Sequence, residues 1–289
     1  MNANNITLSS SSILVDLHIS CWTGRKMDKK VSAEIDADKN TTVKAGNYHK
    51  SLLAGALELE AIGKHAAGIR NWLTVQTLPW SDTGTRLIST ARLLGFQAEL
   101  SIREQEYWAL VGNFLTVYDQ LVQAAQFRLG DLFDADEYPS RDAIAAKFDF
   151  TYVFSPVPEA GDFRVDIGNE GLAELAAQFE KHQNKFIEQA MADLWERLRT
   201  ITTQLSNQLR INRDSGEKGK LYQSTLDNAL ELCEMLKSMN ITNDPKLEKI
   251  RKELRMTLDG VDLKELKKNE YAREDVKREL DDLISKFSF

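Results

Sequence analysis

The chain has 289 residues, 42% hydrophobic and 28% charged, with 37 Lys and Arg against 44 Asp and Glu, for a net charge of −7. This length allows one large domain or two small ones, and a core that needs neither disulfides nor metals. The acidic balance excludes a dominant, non-specific grip on nucleic acid or on an anionic membrane, though it leaves room for a local basic patch.

No basic stretch followed by an apolar run occurs at the start of the chain, so no signal peptide is expected. No apolar stretch approaches the roughly 18–20 residues that span a bilayer. A soluble, cytoplasmic protein is the expectation. Cys21 and Cys233 lie far apart, and Cys233 falls on a helical apolar stripe where cysteine acts as a small hydrophobe, so both are expected as free thiols.

Val15, Leu17, Ile19 and Cys21 alternate with polar residues and predict a half-buried strand near residues 13–22, ended by Gly24. Residues 26–47 are polar and predict a short helix at most, with an exposed loop. From Tyr48, the face Leu52, Ala56, Leu59, Ile62, Ala66, Ile69 and Leu73 predicts a helix, in which Gly55, Gly63 and Gly68 are expected to admit a second helix closely. Pro79 stops it, and Asp82 and Gly84 suit a turn. Further helices are predicted over 85–94 and 101–129. The second has Ser101 and Glu104 as a capping box and Gly130 beyond its end.

An acidic loop over 131–139 leads to a short helix capped by Ser140. Alternating aromatics at Phe148, Phe150, Tyr152 and Phe154 predict a strand over 148–154, and Phe163, Val165 and Ile167 predict another over 163–167. With the first strand they make a small antiparallel sheet. After Gly171 the pattern is helical to the end. Ile187, Met191, Leu194, Leu198, Ile201 and Leu205 step by four and three along one helix face. Tyr222, Leu226, Ala229, Cys233 and Leu236 resume the pattern after the polar break at 212–220, as in an antiparallel hairpin. Asn243 or Asp244 before Pro245, and Asp262 before Glu265, open two more helices. Val276, Leu280, Leu283 and Phe287 form the last seam.

The predicted fold is mainly α with a small antiparallel β-sheet (α+β). Residues 1–170 form a mixed domain and 171–289 long helical hairpins of coiled-coil-like character. Stripes this narrow must be covered by another helix, within the chain or from a second copy, so a homo-oligomer is one expected outcome.

No catalytic, cofactor or metal site is expected. His18, His49, His65 and His182 have no metal-ligand spacing, and neither a phosphate-binding glycine loop nor a nucleophile elbow is present. Asp134, Asp136 and Glu137, like Asp281 and Asp282, read as loop or solvated helix carboxylates. Two segments are less ordinary: Trp22-Thr-Gly-Arg-Lys26 and Thr77-Leu-Pro-Trp-Ser-Asp-Thr-Gly-Thr-Arg86. Tryptophan and arginine are frequent binding anchors, so Trp22, Arg25, Lys26, Pro79, Trp80, Asp82 and Arg86 are candidate protein-binding residues. The alternative is that Trp22 and Trp80 plug gaps between sheet and helices, while Arg86 or Arg25 bonds a loop carbonyl or carboxylate.

The run ILVDLHISCWTGRKMDKKVS (13–32) followed by TLPWSDTGTRL (77–87) resembles a phage and bacterial family, a domain of unknown function. Genes of that family neighbour those of a cobalt-chelatase-like, MoxR-type AAA+ ATPase and a von Willebrand factor A protein. The resemblance spans about the first 200 residues and implies a phage origin, hence the host cytoplasm, and a role as adaptor or accessory partner of such an ATPase. It carries over no catalytic residue. The alternative is a nucleic-acid-associated factor, or an inhibitor of a host nuclease or defence protein. Against direct nucleic-acid contact, residues 244–289 hold 12 Lys and Arg against 12 Asp and Glu, the balance of a solvated face.

Overall fold

A computed structural model describes residues 8–159, 168–211 and 217–287. In chain order the elements are α1 (Leu8–Ser11), β1 (Ser12–Ser20), β2 (Arg25–Asp28), α2 (Lys29–Asp38), β3 (Tyr48–Ser51) and α3 (Leu57–Gln76). Then come β4 (Leu78–Pro79), β5 (Arg86–Ser89), α4 (Leu93–Leu129), α5 (Arg141–Ala145) and β6 (Asp149–Pro156). The chain ends in α6 (Gly168–Leu209), α7 (Gln223–Met239), α8 (Pro245–Leu258), α9 (Leu263–Lys268) and α10 (Glu270–Ser285). The fold is mainly α with a small antiparallel sheet. Four strands lie in the order β4-β5-β1-β6, and β2 and β3 form a separate pair. The strand expected over 163–167 lies outside the described residues.

Two compact units divide the chain differently from a single cut at residue 170. One comprises residues 17–73 and 95–153; the other comprises 1–16, 74–94 and 154–289. In the first, the 37-residue α4 buries Phe96, Leu100, Tyr107, Val111, Phe114, Tyr118 and Ala125 along one face. Phe148 and Phe150 meet that face, Phe148 against Phe114 and Phe150 against Tyr107, with ring centroids 5.8 and 5.5 Å apart. The fully buried Tyr107 donates its hydroxyl hydrogen to the Ser20 carbonyl, which closes the end of β1.

In the second unit the long stripes are covered from within. Leu194, Leu198 and Leu205 of α6 are buried with Ala229, Cys233 and Leu236 of α7, Leu247 and Leu254 of α8, and Leu280 and Leu283 of α10. Gln208 bonds Thr225 near the turn, and residues 193–201 share a groove with 228–235 farther along, which sets α6 and α7 antiparallel. The stripes therefore need no second copy. Asp244 caps α8 ahead of Pro245, Asp262 caps α9, and Ser140 caps α5, each side chain accepting from backbone N–H groups.

Four expectations are corrected. The helix expected over 85–94 is helical only from Thr90: Arg86–Ser89 form a strand antiparallel to both β1 and β4, with Leu87 and Ile88 buried. A run this short fits either period, and pairing decides it. The capping serine is Ser89, which accepts from Ala91 N–H at the start of a 3₁₀ turn (Thr90–Arg92) leading into α4, and Ser101 sits inside α4, because Phe96 and Leu100 already carry the helical face. Residues 48–51 are a strand rather than the first turn of α3, and a Cβ at Gly63 or Gly68 would meet nothing within 4 Å, so neither serves a close helix contact.

Two arginines lie inside the seams of the second unit. Arg273 on α10 is 2% exposed. It donates to the carbonyls of Leu209 (2.9 Å), Gln208 (2.6 Å) and Gly219 (2.6 Å), so it closes the C-terminal end of α6. Such ends leave carbonyls without helical partners and carry partial negative charge. Arg251 on α8 forks onto Glu248 at 2.7 and 2.9 Å and reaches the Cys233 carbonyl of α7.

Arg273→Met should lower unfolding free energy by about 3 kcal/mol in urea titration, because three carbonyls lose their donor, whereas Arg278→Ala on the exposed face should change it by less than about 0.5 kcal/mol. Glu248 offers a second check. The Arg251 hydrogen bonds pull its carboxyl to about 2 from the usual 4.5. A depressed carboxyl contributes stability above its unfolded value, and that contribution fades as pH falls from about 4.5 towards 2. Melting temperature measured across that window should fall more steeply for the parent than for Glu248→Gln.

Candidate functional site

Trp22 and the residues after it stand on a rigid base in the first unit. The indole is half-buried against Phe114 and Tyr118 of α4, at centroid distances of 6.3 and 6.2 Å. Gly24 then turns the chain at φ +61°, where a Cβ would lie 3.0 Å from Leu59 Cδ2. Positive φ and close approach together call for glycine. Beyond it β2 pairs with β3, Arg25 opposite Ser51 and Lys26 opposite Lys50.

Lys50 fixes that pair. It is 4% exposed, and its three ammonium hydrogens find three acceptors: Glu137 Oε2 at 2.7 Å, Asp28 Oδ2 at 3.1 Å and the Leu132 carbonyl at 2.7 Å. Burial alone would lower the amine's pKa, but the bonds to Glu137 and Asp28 outweigh it and the net shift is upward. Asp28 also caps α2, accepting from Lys30 and Val31 N–H; the Val31 bond first, then Lys50, holds its carboxyl below the usual value. The acidic loop is thus bound into the fold through Glu137 and Lys50.

The exposed surface here carries both signs, with Glu34, Asp38, Asp134 and Asp136 exposed as well as four cations close together in sequence. Arg25, Lys26, Lys29 and Lys30 are all exposed. Lys26 lies 3.8 Å from Glu137, a carboxylate that Lys50 already holds at closer range. The first turn of α2 carries Lys29 and Lys30 and no acidic residue.

The other segment belongs to the second unit and is mostly structural. Pro79 lies in β4, paired with Arg86, and Trp80 N–H donates to the Thr85 carbonyl to close the hairpin. Trp80 is 6% exposed, its ring 5.6 Å from that of Phe186. Arg86 donates to Thr77 Oγ1 and to the carbonyls of Thr74 and Thr77, at 2.9–3.1 Å. Arg197 of α6 reaches the carbonyls of Thr74, Val75 and Thr77, and Arg92 that of Gln76. Burial first, then the neighbouring Arg197 charge, lowers the Arg86 pKa. Among the candidates of this segment, Asp82 is the exposed one.

Beside this arginine cluster, a groove of about 410 Å³ is lined by Val75, Ile201, Leu232 and Met235 with Asp193 and Glu231. His182 lies within α6, exposed, edge-on to Phe186. Cys21 and Cys233 are both free, and burial pushes the Cys233 thiol up to about 11. Among the described residues no group of His, Cys, Asp or Glu could hold a metal ion, and no helix is long and apolar enough to cross a membrane.

The sequence singled out Arg25 and Lys26 but missed Lys29 and Lys30, which look like ordinary helix surface until the helix start is known. Lys50 carried no signal, since its neighbours do not alternate. Arg273 and Arg251 did: each steps by three or four to apolar seam residues, Arg273 to Val276 and Arg251 to Leu247 and Leu254. No family model, curated protein or solved structure matches the chain, so the resemblance of residues 13–32 and 77–87 rests on those residues alone.

Trp80→Ala should remove about 3–5 kcal/mol of stability by opening a cavity against Phe186. Chemical denaturation checks this; an unchanged midpoint would return Trp80 to the list of surface anchors.

Proposed function

We propose that this chain is a non-catalytic interaction protein, an adaptor that engages a protein partner, and that the partner is a MoxR-type AAA+ ATPase. The observation that carries the reading is the surface of the β2–α2 segment. Its first acid, Asp28, is built into the fold, whereas the four cations around it are exposed on a base fixed by Lys50. Loops and short elements on a rigid scaffold are where proteins place recognition. The ATPase as partner class comes from the sequence resemblance, in which the same segment takes part.

Self-association is not needed by this reading, because the apolar stripes that suggested it are covered within the second unit. Direct nucleic-acid binding by the C-terminal helices is disfavoured. Of the 12 cations in 244–289, Arg251 and Arg273 are buried, leaving 12 − 2 = 10 against 12 carboxylates.

Light scattering coupled to size exclusion tests the reading. The chain mixed with a MoxR-type ATPase from the same genome should elute as a complex heavier than either component. Separate elution at micromolar concentrations, with and without nucleotide, would refute it.

A further inference from the structure

We infer that the exposed cations Arg25, Lys26, Lys29 and Lys30 form a docking surface for a carboxylate-rich protein segment. The inference rests on the interaction role proposed above and names the chemistry of its partner. Four positive side chains occur within six residues of a chain whose net charge is −7. The one acid among them, Asp28, is occupied twice over, by Lys50 and by the first N–H groups of α2. It neutralises none of the surface cations in the way its position in the sequence suggests.

An independent observation is that the arrangement works against local stability. The N-terminal end of a helix is its positive end and favours acidic side chains. Here Asp28 caps the end, but Lys29 and Lys30 occupy the first turn, which holds no acid of its own. Beside Arg25 and Lys26, these two lysines add positive charge to a helix end whose capping carboxylate, Asp28, is shared with Lys50. Rule-breaking of this kind concentrates at binding surfaces. A bound carboxylate segment would relieve it, with the cations and the helix end acting on the same charges.

A short acidic segment fits better than a polynucleotide. The patch offers four cations, and Trp22, the aromatic side chain nearest in sequence, is packed on Phe114 and Tyr118 rather than free to stack on bases. A phosphate backbone extends well beyond four charges and would meet the acidic remainder of the chain, whereas a segment of a few carboxylates would not.

The test uses the full chain and a short fluorescein-labelled peptide rich in Asp and Glu, followed by anisotropy at low salt. Controls are a peptide with Lys in place of the acids and a single-stranded oligonucleotide of equal charge. The acidic peptide should bind, and Lys29→Glu with Lys30→Glu should weaken it by about tenfold or more. The same double substitution should leave the melting temperature unchanged or higher, because it puts acids where the helix end favours them, so lost binding cannot be ascribed to lost folding. The inference is overturned if the acidic peptide does not bind, if the reversal leaves binding intact, or if the oligonucleotide binds more tightly than the peptide. Should the ATPase complex form equally well with the reversed variant, this docking surface fails while the adaptor role stands. Should the acidic peptide bind as described but no ATPase complex form, the surface stands and the named partner fails.

Discussion

Guanidinium groups placed on helix carbonyl ends hold the second unit together. The last turn of α3 ends in carbonyls with no helical donor, and one left unpaired costs about 1–3 kcal/mol where it is buried, as at Thr77. Arg86, Arg92 and Arg197 supply those donors, and Arg197 does so from 120 residues away from Thr77. Arg273 does the same for α6 from α10. A planar fork with five donors can serve several carbonyls at once, which a lysine cannot do with the same geometry. The Arg197 and Arg273 bonds join elements remote in sequence, so those helix ends and the tertiary arrangement of the unit are fixed together.

The same commitment decides which charges are left over. Lys50, Arg251 and Arg273 lie inside the protein, and Glu137 of the acidic loop is bound to Lys50. After these pairs are set aside, the cations of the β2–α2 segment stand out on an otherwise acidic chain. The functional reading therefore comes from the distribution of charge that folding leaves exposed, and it does not depend on any motif of catalysis.

The legible parts of the sequence were those governed by local rules. The seams of α6, α7 and α10, the caps at Ser140, Asp244 and Asp262, and the strand at 148–154 follow from periodicity and capping chemistry within a few residues. What was not legible depended on distant partners. β5 was mistaken for helix because Arg86–Ser89 become a strand only through pairing with β1 and β4. β3 was missed because Lys50 finds its acceptors at Asp28, Leu132 and Glu137. Of the candidate residues, Arg86 took the structural alternative read for it, Trp80 became core, and Arg25 and Lys26 stayed on the surface.

The claim that these guanidiniums are fixed donors can be read directly from their Nε hydrogens. In nitrogen-15 spectra near neutral pH, the Hε signals of Arg86, Arg251 and Arg273, which bond Thr77, Glu248 and the Leu209 carbonyl, should persist against exchange with solvent. That of the exposed Arg25 should be lost to fast exchange. If the Arg273 hydrogen exchanged as quickly as that of Arg25, the carbonyl ends would be held by something other than arginine, and the charge distribution argued here would be wrong.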